Sequence, residues 1–399
     1  MQGEKIKTLN PMIKRRSKPI KKILIVTSRF FPHHGGLETV VYHLAKELTS
    51  RGYLVHILTN RYPKNLPARE NLDGVIVRRL FFIYPELKYL KQRQWYLFAA
   101  GLFFLPISTI LLLLEIFLFC PDIINLHYLA SPGLFLWLIR LVIPFQWVVS
   151  FHGGDVFGEP FLSSFKMMLF KAVARQADLL TTCSNDLARQ VINLVPEERS
   201  KVVVIHNGVN FQLFNHATPY LLPRPFILAL GQLADHKGFD LLIDGFAQIR
   251  ESFPQVDLVI AGEGPNRSRL EELITQKKLA DQVHLLGQVD EEMVSRLMAG
   301  CLFLAVPSRK EAFGIVALEG MASGKRVMAS PIAGIWEYLP RGPNLEVELN
   351  VGAWASALRD VLDSGDFSLC LENIKVAAKL DWSDVADRYL ETYRRVLTQ

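Results

Sequence analysis

The sequence predicts an α/β protein of two Rossmann-like, doubly wound domains facing across a cleft. Three observations carry that expectation. The chain has 399 residues, more than one core of roughly 100–200 residues takes up. An apolar strand, a glycine loop, an amphipathic helix and a second strand follow one another between residues 22 and 59, and the same order restarts near residue 226. Strand, crossover helix and parallel strand are the sequence form of a doubly wound sheet.

The first half opens on a strand over Lys22–Ser28 and passes through a loop ending in Gly35-Gly36. The helix that follows carries Leu37, Val40, Val41, Leu44, Ala45 and Leu48 at helical spacing and closes at Gly52. Further strands are expected at Leu54–Thr59, Ile123–Leu126, Trp147–Phe151 and Val202–Ile205. The second half alternates strands with helices, the strands at Phe226–Leu230, Leu258–Ala261, Val283–Leu286, Leu302–Val306 and Arg326–Ser330. Its first helix carries Phe239, Leu242, Ile243, Phe246 and Ile249. Between the halves, Asn207-Gly208 and then Pro219, Pro223 and Pro225 favour turn and extended backbone. The expected division is a basic tail over 1–22, an N-terminal acceptor domain over 23–209, a C-terminal nucleotide-binding domain over 210–380 and a final helix over 381–399.

Half of the residues are apolar and 21% are charged, without internal repeats, as in a folded globular chain. The net charge is +6, and residues 1–22 account for it with eight Lys and Arg against Glu4. A nucleic-acid reader would carry basic charge on its folded part, so no nucleic acid is expected and the tail points to anionic lipid. Cys120, Cys183, Cys301 and Cys370 lack metal-ligand spacing and read as reduced, buried thiols. The basic start runs into a strand at Ile23-Leu24-Ile25-Val26 and not into a secretory leader, which predicts a cytosolic protein.

Ligands of such sheets bind beyond the carboxyl ends of the strands, where loops and helix N-termini present N–H groups. In the first half that edge offers Gly35 and Gly36, which let backbone approach a phosphate. In the second half Gly231, Lys237-Gly238 and the Gly262-Glu263-Gly264 turn share one edge, which suits a diphosphate. The most specific segment runs from Pro307 to Glu319. With a helix starting near Gly314, Glu319 sits about 7–8 Å along the axis, while Glu311 stays in the preceding loop. Glu319 falls among Leu318, Met321 and Ala322, where a carboxylate needs a partner. Phe151-His152-Gly153-Gly154-Asp155 places an imidazole at the opposite edge of the cleft.

Phe98 to Cys120 is almost wholly apolar and long enough to span a membrane. A span would place the Gly35-Gly36 loop and His152 on opposite sides of it, so the segment reads as a core helix or as a helix lying in the membrane interface. Phe81, Phe82, Trp95, Trp137 and Trp147 are the aromatic residues expected to assist interfacial binding.

Together these residues resemble the retaining glycosyltransferases of family 4, with the GT-B fold, from about Ile23 to the end of the chain. The resemblance implies that Gly35 and Gly36 contact phosphate, that Gln232 and Lys237 lie where the family grips the diphosphate, and that Glu319 binds ribose hydroxyls. It implies that Glu311 lies by the donor sugar, that His152 is the cleft histidine, that N–H groups of Phe313, Gly314 and Ile315 contact donor sugar and phosphates, and that Val289 ends the base-binding strand. Gly262 and Gly264 complete the donor edge. The final helix would cross back to the first domain. Gln232 stands where the family usually has Arg, Ala312 where Gly is common, Arg326 where Pro is common, and Ala333-Gly334-Ile335-Trp336 where Gly-Gly-x-Pro is frequent.

The implied reaction moves a sugar from a UDP- or GDP-sugar to a glycan or lipid-linked acceptor with retention. No Asp-x-Asp motif occurs in the first domain, so transfer without a metal ion or other cofactor is expected. Other readings of the same grammar are a non-catalytic nucleotide-sugar-binding or membrane scaffold protein and a nucleotide-sugar epimerase. A nicotinamide-dependent dehydrogenase lacks support, since Gly-x-Gly-x-x-Gly does not follow the first strand.

Overall fold

A computed structural model describes residues 20–398 apart from 34, 86–88, 90–91, 159–162 and 332–333. The basic residues of the tail up to Lys18, and Ala333, lie outside the described residues.

Among the described residues the strands form two sheets. The first has the order β3-β4-β2-β1-β5-β6-β7-β8, with β1 at Lys22–Thr27, β2 Leu54–Asn60, β3 Arg69–Leu72, β4 Val75–Leu80, β5 Ile123–His127, β6 Trp147–Phe151, β7 Leu179–Thr182 and β8 Val202–Val204. The second has the order β11-β10-β9-β12-β13-β14, with β9 at Phe226–Leu230, β10 Asp257–Ala261, β11 Val283–Gly287, β12 Leu304–Val306, β13 Val327–Ala329 and β14 Leu345–Glu346. Pairing is parallel except in the β3–β4 hairpin. That hairpin escaped the sequence reading although Asp73-Gly74 at its turn, both at positive φ, is a hairpin signal. β3, Arg-Glu-Asn-Leu, carries no apolar alternation because it is an edge strand with little to bury.

Strands in a parallel sheet are covered on both faces, and β1 illustrates it. Leu24 and Val26 enter one core and Ile23 and Ile25 the other. The second of these cores is completed from far along the chain. The helix Trp382–Thr398 contributes Trp382, Val385, Ala386, Tyr389, Leu390, Tyr393 and Val396 to it, opposite Val40, Val41 and Leu44 of the helix Gly36–Ser50. The chain passes between the halves at two adjacent places, where Val209 N–H donates to Leu380 O (2.9 Å) and Phe211 N–H to an Asp381 carboxylate oxygen (3.2 Å).

The apolar segment is a helix over Trp95–Phe119 connecting β4 to β5. Both ends return to one sheet, so the helix is a crossover and not a membrane span. Glu115 on it is paired with Arg78 of β4, and Ser108 Oγ donates to Phe81 O (2.9 Å). Yet only Gly101, Ser108, Leu112 and Phe119 of its 25 residues are buried. Of the aromatic residues expected to assist it, Trp147 and Phe82 belong to the core and Trp137 is half-buried. Each sits on a strand, loop or helix face turned toward the sheet. Trp95 and Phe81 are exposed. The cysteines also divide, since Cys183 and Cys301 are buried whereas Cys120 is exposed and Cys370 half-exposed. Cys120 caps the apolar helix in a left-handed conformation, at a position exposed among the described residues.

Candidate active site

The carboxyl ends of β9 and β12 bring together the residues expected on the donor side. After β9 the chain turns at Gly231, passes a short turn over Asp235–Lys237 and enters the helix Phe239–Ala247 through Gly238. Gly238 has a left-handed φ of 69°, and a Cβ there would lie 2.0 Å from Pro307 O. Close docking of this turn on the strand end holds Lys237 over the loop after β12. Lys237 Nζ donates to Glu311 Oε2 at 2.6 Å, both side chains largely buried. Arg309 is engaged separately by Asp240, two nitrogens to two oxygens at 2.8 Å each, and Gln232 is exposed beside Gly231.

The loop continues through Phe313, which is buried, to Gly314, whose φ of 86° favours glycine and caps the helix Ile315–Ala322. Among the described residues none accepts a hydrogen bond from the N–H groups of Phe313, Gly314 or Ile315, donors of the kind that hold anions at helix N-termini. Glu319, on the second turn, is partly buried and pairs with no described side chain. Burial, and then the nearby Glu291 carboxylate, push its carboxyl up to about 8.

Gly262 and Gly264 have a local explanation. A Cβ on Gly262 would lie 1.9 Å from Gly231 O and one on Gly264 2.4 Å from Leu233 O. Glycine is needed there so that the turn after β10 can pack against the turn after β9, and so shape the edge. Val289 follows β11 and is half-buried against the core.

On the other side, Gly35 and Gly36 open the helix Gly36–Ser50, both exposed. Gly35 is extended, with φ −177°. His152 follows β6, and its ring meets His127 at the end of β5, Nε2 to Nδ1, at 3.1 Å. Burial lowers His152 to about 4 and His127 well below the usual imidazole value, the neighbouring ring adding to the latter. Asp155 accepts from the N–H groups of His152, Gly153 and Leu129 at 2.9–3.0 Å, and burial raises its carboxyl to about 6 against those bonds. It braces the loop that carries His152.

The two edges meet. A Cβ on Gly153 would lie 2.6 Å from the Ala312 methyl, and one on Gly36 3.6 Å from Ile315 Cδ1. His43 and Glu291 pair across the halves at 3.1 Å. Glu337 accepts from the N–H groups of Asn185 and Asp186, each at 3.0 Å. His152, Glu311, Lys237, Gly36 and Ile315 thus belong to one cleft. Sequence reasoning missed Asn125 and His127, buried polar residues two apart on β5, and Tyr389 and Tyr393, one turn apart on the last helix. Polar residues alternating inside an apolar strand are the signal that could have found the first pair.

Two largely parallel sheets facing across such a cleft, with helix N-terminal N–H groups on one side that no described residue engages, have the form of the GT-B fold. Comparison with known proteins agrees. The profile described as Glycosyltransferase Family 4 matches residues 34–213, and that described as Glycosyl transferases group 1 matches residues 218–378. An uncharacterized glycosyltransferase of Methanocaldococcus jannaschii is 28% identical over 329 residues, 82% of this chain and 83% of its own. One subunit of the human phosphatidylinositol N-acetylglucosaminyltransferase is 27% identical over 393 residues, 94% of this chain and 76% of its own. The structure of sucrose-phosphate synthase from Thermosynechococcus elongatus has a TM-score of 0.77 at 24% identity, covering 94% of this chain and 98% of that one. HepE from Anabaena, solved in complex with UDP, has a TM-score of 0.70 at 18% identity, covering 93% and 99%. The chain belongs to the family 4 glycosyltransferases and is an enzyme that uses a nucleotide-sugar donor.

Proposed function

We propose that this enzyme transfers a sugar from a UDP- or GDP-sugar, with retention and without a metal ion, to a lipid-linked acceptor at the cytoplasmic face of a membrane. The observation that carries the reaction is the meeting of the Lys237–Glu311 pair with the His152 loop, where Gly153 abuts Ala312. In substitution at the anomeric carbon, negative charge grows on the departing diphosphate. Lys237 and the N–H groups of Phe313, Gly314 and Ile315 would receive it, with the Gly35-Gly36 backbone facing them. Glu311 would orient the sugar, Glu319 the ribose, and Val289 and Gln232 would flank the nucleotide. Residues 23–209 would take the acceptor and 210–380 the donor.

The membrane part rests on the apolar helix. Phe103, Phe117 and Leu118 on it are 68%, 73% and 75% exposed, and outward apolar surface of that extent suits a lipid interface. The basic tail joins the body at its end, since Lys22 Nζ donates to Phe119 O (3.0 Å). A human relative named for phosphatidylinositol supports an acceptor of lipid type.

The test incubates the purified protein with UDP-, GDP- and ADP-sugars, with and without membrane lipid extract and EDTA, and measures nucleotide release and label transfer. Lipid-dependent, EDTA-resistant transfer that Glu319→Ala abolishes is the expected outcome. Nucleotide binding without release or transfer under every condition would overturn the proposal in favour of a scaffold.

A further inference from the structure

Behind His152 the sheet holds an unbroken line of buried polar groups that the proposed transfer does not use. Thr181 Oγ1 donates to Ser150 Oγ (2.7 Å), and Ser150 Oγ donates to Asn125 Oδ1 (2.9 Å). Asn125 Nδ2 reaches Tyr393 Oη (2.8 Å) and His127 Nε2 (2.9 Å), and His127 Nδ1 reaches His152 Nε2 (3.1 Å). Asn125, His127, Ser150 and Thr181 are at most 1% exposed. Tyr389 lies against the His127 ring, centroids 5.8 Å apart, so the last helix seals the line from water.

Such a line has a direction. The Asn125 amide lies with its oxygen toward Ser150 and its nitrogen toward His127 and Tyr393. An amide nitrogen only donates, hence His127 Nε2 is the lone-pair nitrogen and its proton sits on Nδ1. That proton points at His152 Nε2, which must accept, and the His152 proton sits on Nδ1. We propose that Asn125 and His127 are positioning residues that hold His152 as its Nδ1–H tautomer, so that it serves the cleft as a hydrogen-bond donor to a sugar hydroxyl and not as a base. The low proton affinity that burial gives both rings keeps them neutral near pH 7, as this assignment requires.

The consequence for the reaction rests on the reading of His152 as a cleft residue. The lone pair of His152 is occupied by His127, so the acceptor hydroxyl cannot lose its proton to this ring. As the bond from the acceptor oxygen to the anomeric carbon forms and that from carbon to phosphate oxygen breaks, the hydroxyl proton goes to the departing phosphate oxygen. His152 keeps its own proton throughout.

Nitrogen NMR of the full-length protein, 15N-labelled at histidine, tests the assignment without a substrate. At pH 7.5 the His152 resonances, identified by their loss in His152→Asn, should report a protonated Nδ1 and a bare Nε2. Asn125→Asp, which can only accept at that position, should reverse the pattern. A proton on Nε2 of His152 in the unaltered protein, or a pattern indifferent to Asn125→Asp, overturns the proposal. Kinetics supply the second arm, using whichever UDP- or GDP-sugar is turned over fastest. His127→Leu should lower kcat on the order of 10²-fold with UDP or GDP affinity little changed, and His127→Asn, which retains an N–H near His152, should recover most of it. If His152→Ala abolishes turnover and His127→Leu does not, the relay is wrong and the cleft reading stands. If His152→Ala turns over normally, the cleft reading itself falls.

Discussion

Two helices of this enzyme face opposite problems. Trp382–Thr398 lies at the far end of the chain, yet its apolar residues recur at helical spacing and all enter the core of the N-terminal half. Trp95–Phe119 sits in the middle of that half and is apolar all round, yet most of it faces outward. Periodic apolarity specifies a protein partner, because one stripe is buried and the other faces are wet. Uniform apolarity specifies only the absence of water, and the sheet beneath the middle helix can cover one stripe alone.

The largest effect should come from the buried helix. Trp382 is 5% exposed, stacks on His43 with centroids 5.2 Å apart, and would touch any Cβ placed on Gly208. Trp382→Ala should cost about 3–5 kcal/mol, read as a lowered urea midpoint at unchanged slope. On the exposed helix the contrast predicts the reverse pattern. Phe103→Ser combined with Leu114→Gln and Phe117→Ser should leave stability within about 1 kcal/mol while weakening binding to phosphatidylglycerol vesicles at least about tenfold. A loss of stability without loss of vesicle binding would mean that protein covers this face, and the contrast between the helices would fail.

Gly153→Ala probes the meeting of the two cleft edges. Its φ of 114° and the Ala312 methyl both resist a side chain, so turnover should fall on the order of 10²-fold with nucleotide affinity retained, measured by titration and steady-state rates.

A further set of effects concerns pH. His152 and His127 have native values below the 6.5 of the unfolded chain, so the unfolded chain binds more protons below about pH 6.5. Their contribution to stability is therefore present above that pH and lost as pH falls toward about 4. Glu319 runs the other way. Its native value of about 8 exceeds the ordinary 4.5, so the native state binds the extra proton and stability falls as pH rises through that window. Thermal unfolding against pH should show a flattened acid limb in His152→Gln and a flattened alkaline limb in Glu319→Gln.

Much of the fold was legible because its signals are local. The apolar runs of β1, β5, β6, β9 and β10 and the glycine that opens the helix at Ile315 each announce themselves within a few residues. β3 and β14 were not legible, being short and half-wet. The site was legible in its parts, with Glu311, Glu319 and His152 standing out, but the pairing of Lys237 with Glu311 spans 74 positions and has no local mark. The glycines at 262 and 264 read as ligand turns, and the close backbone packing that also calls for glycine there has no local mark.

By itself the sequence determined the two-sheet class and the family, since hydrophobic periodicity and glycine placement act on near neighbours. Only the tertiary structure decided which edge meets which, that the last helix closes the His127–His152 pair, and that the apolar helix is a crossover with an open face. Those depend on contacts between residues far apart in the chain, where the free energy of burial is shared among partners that no local pattern names.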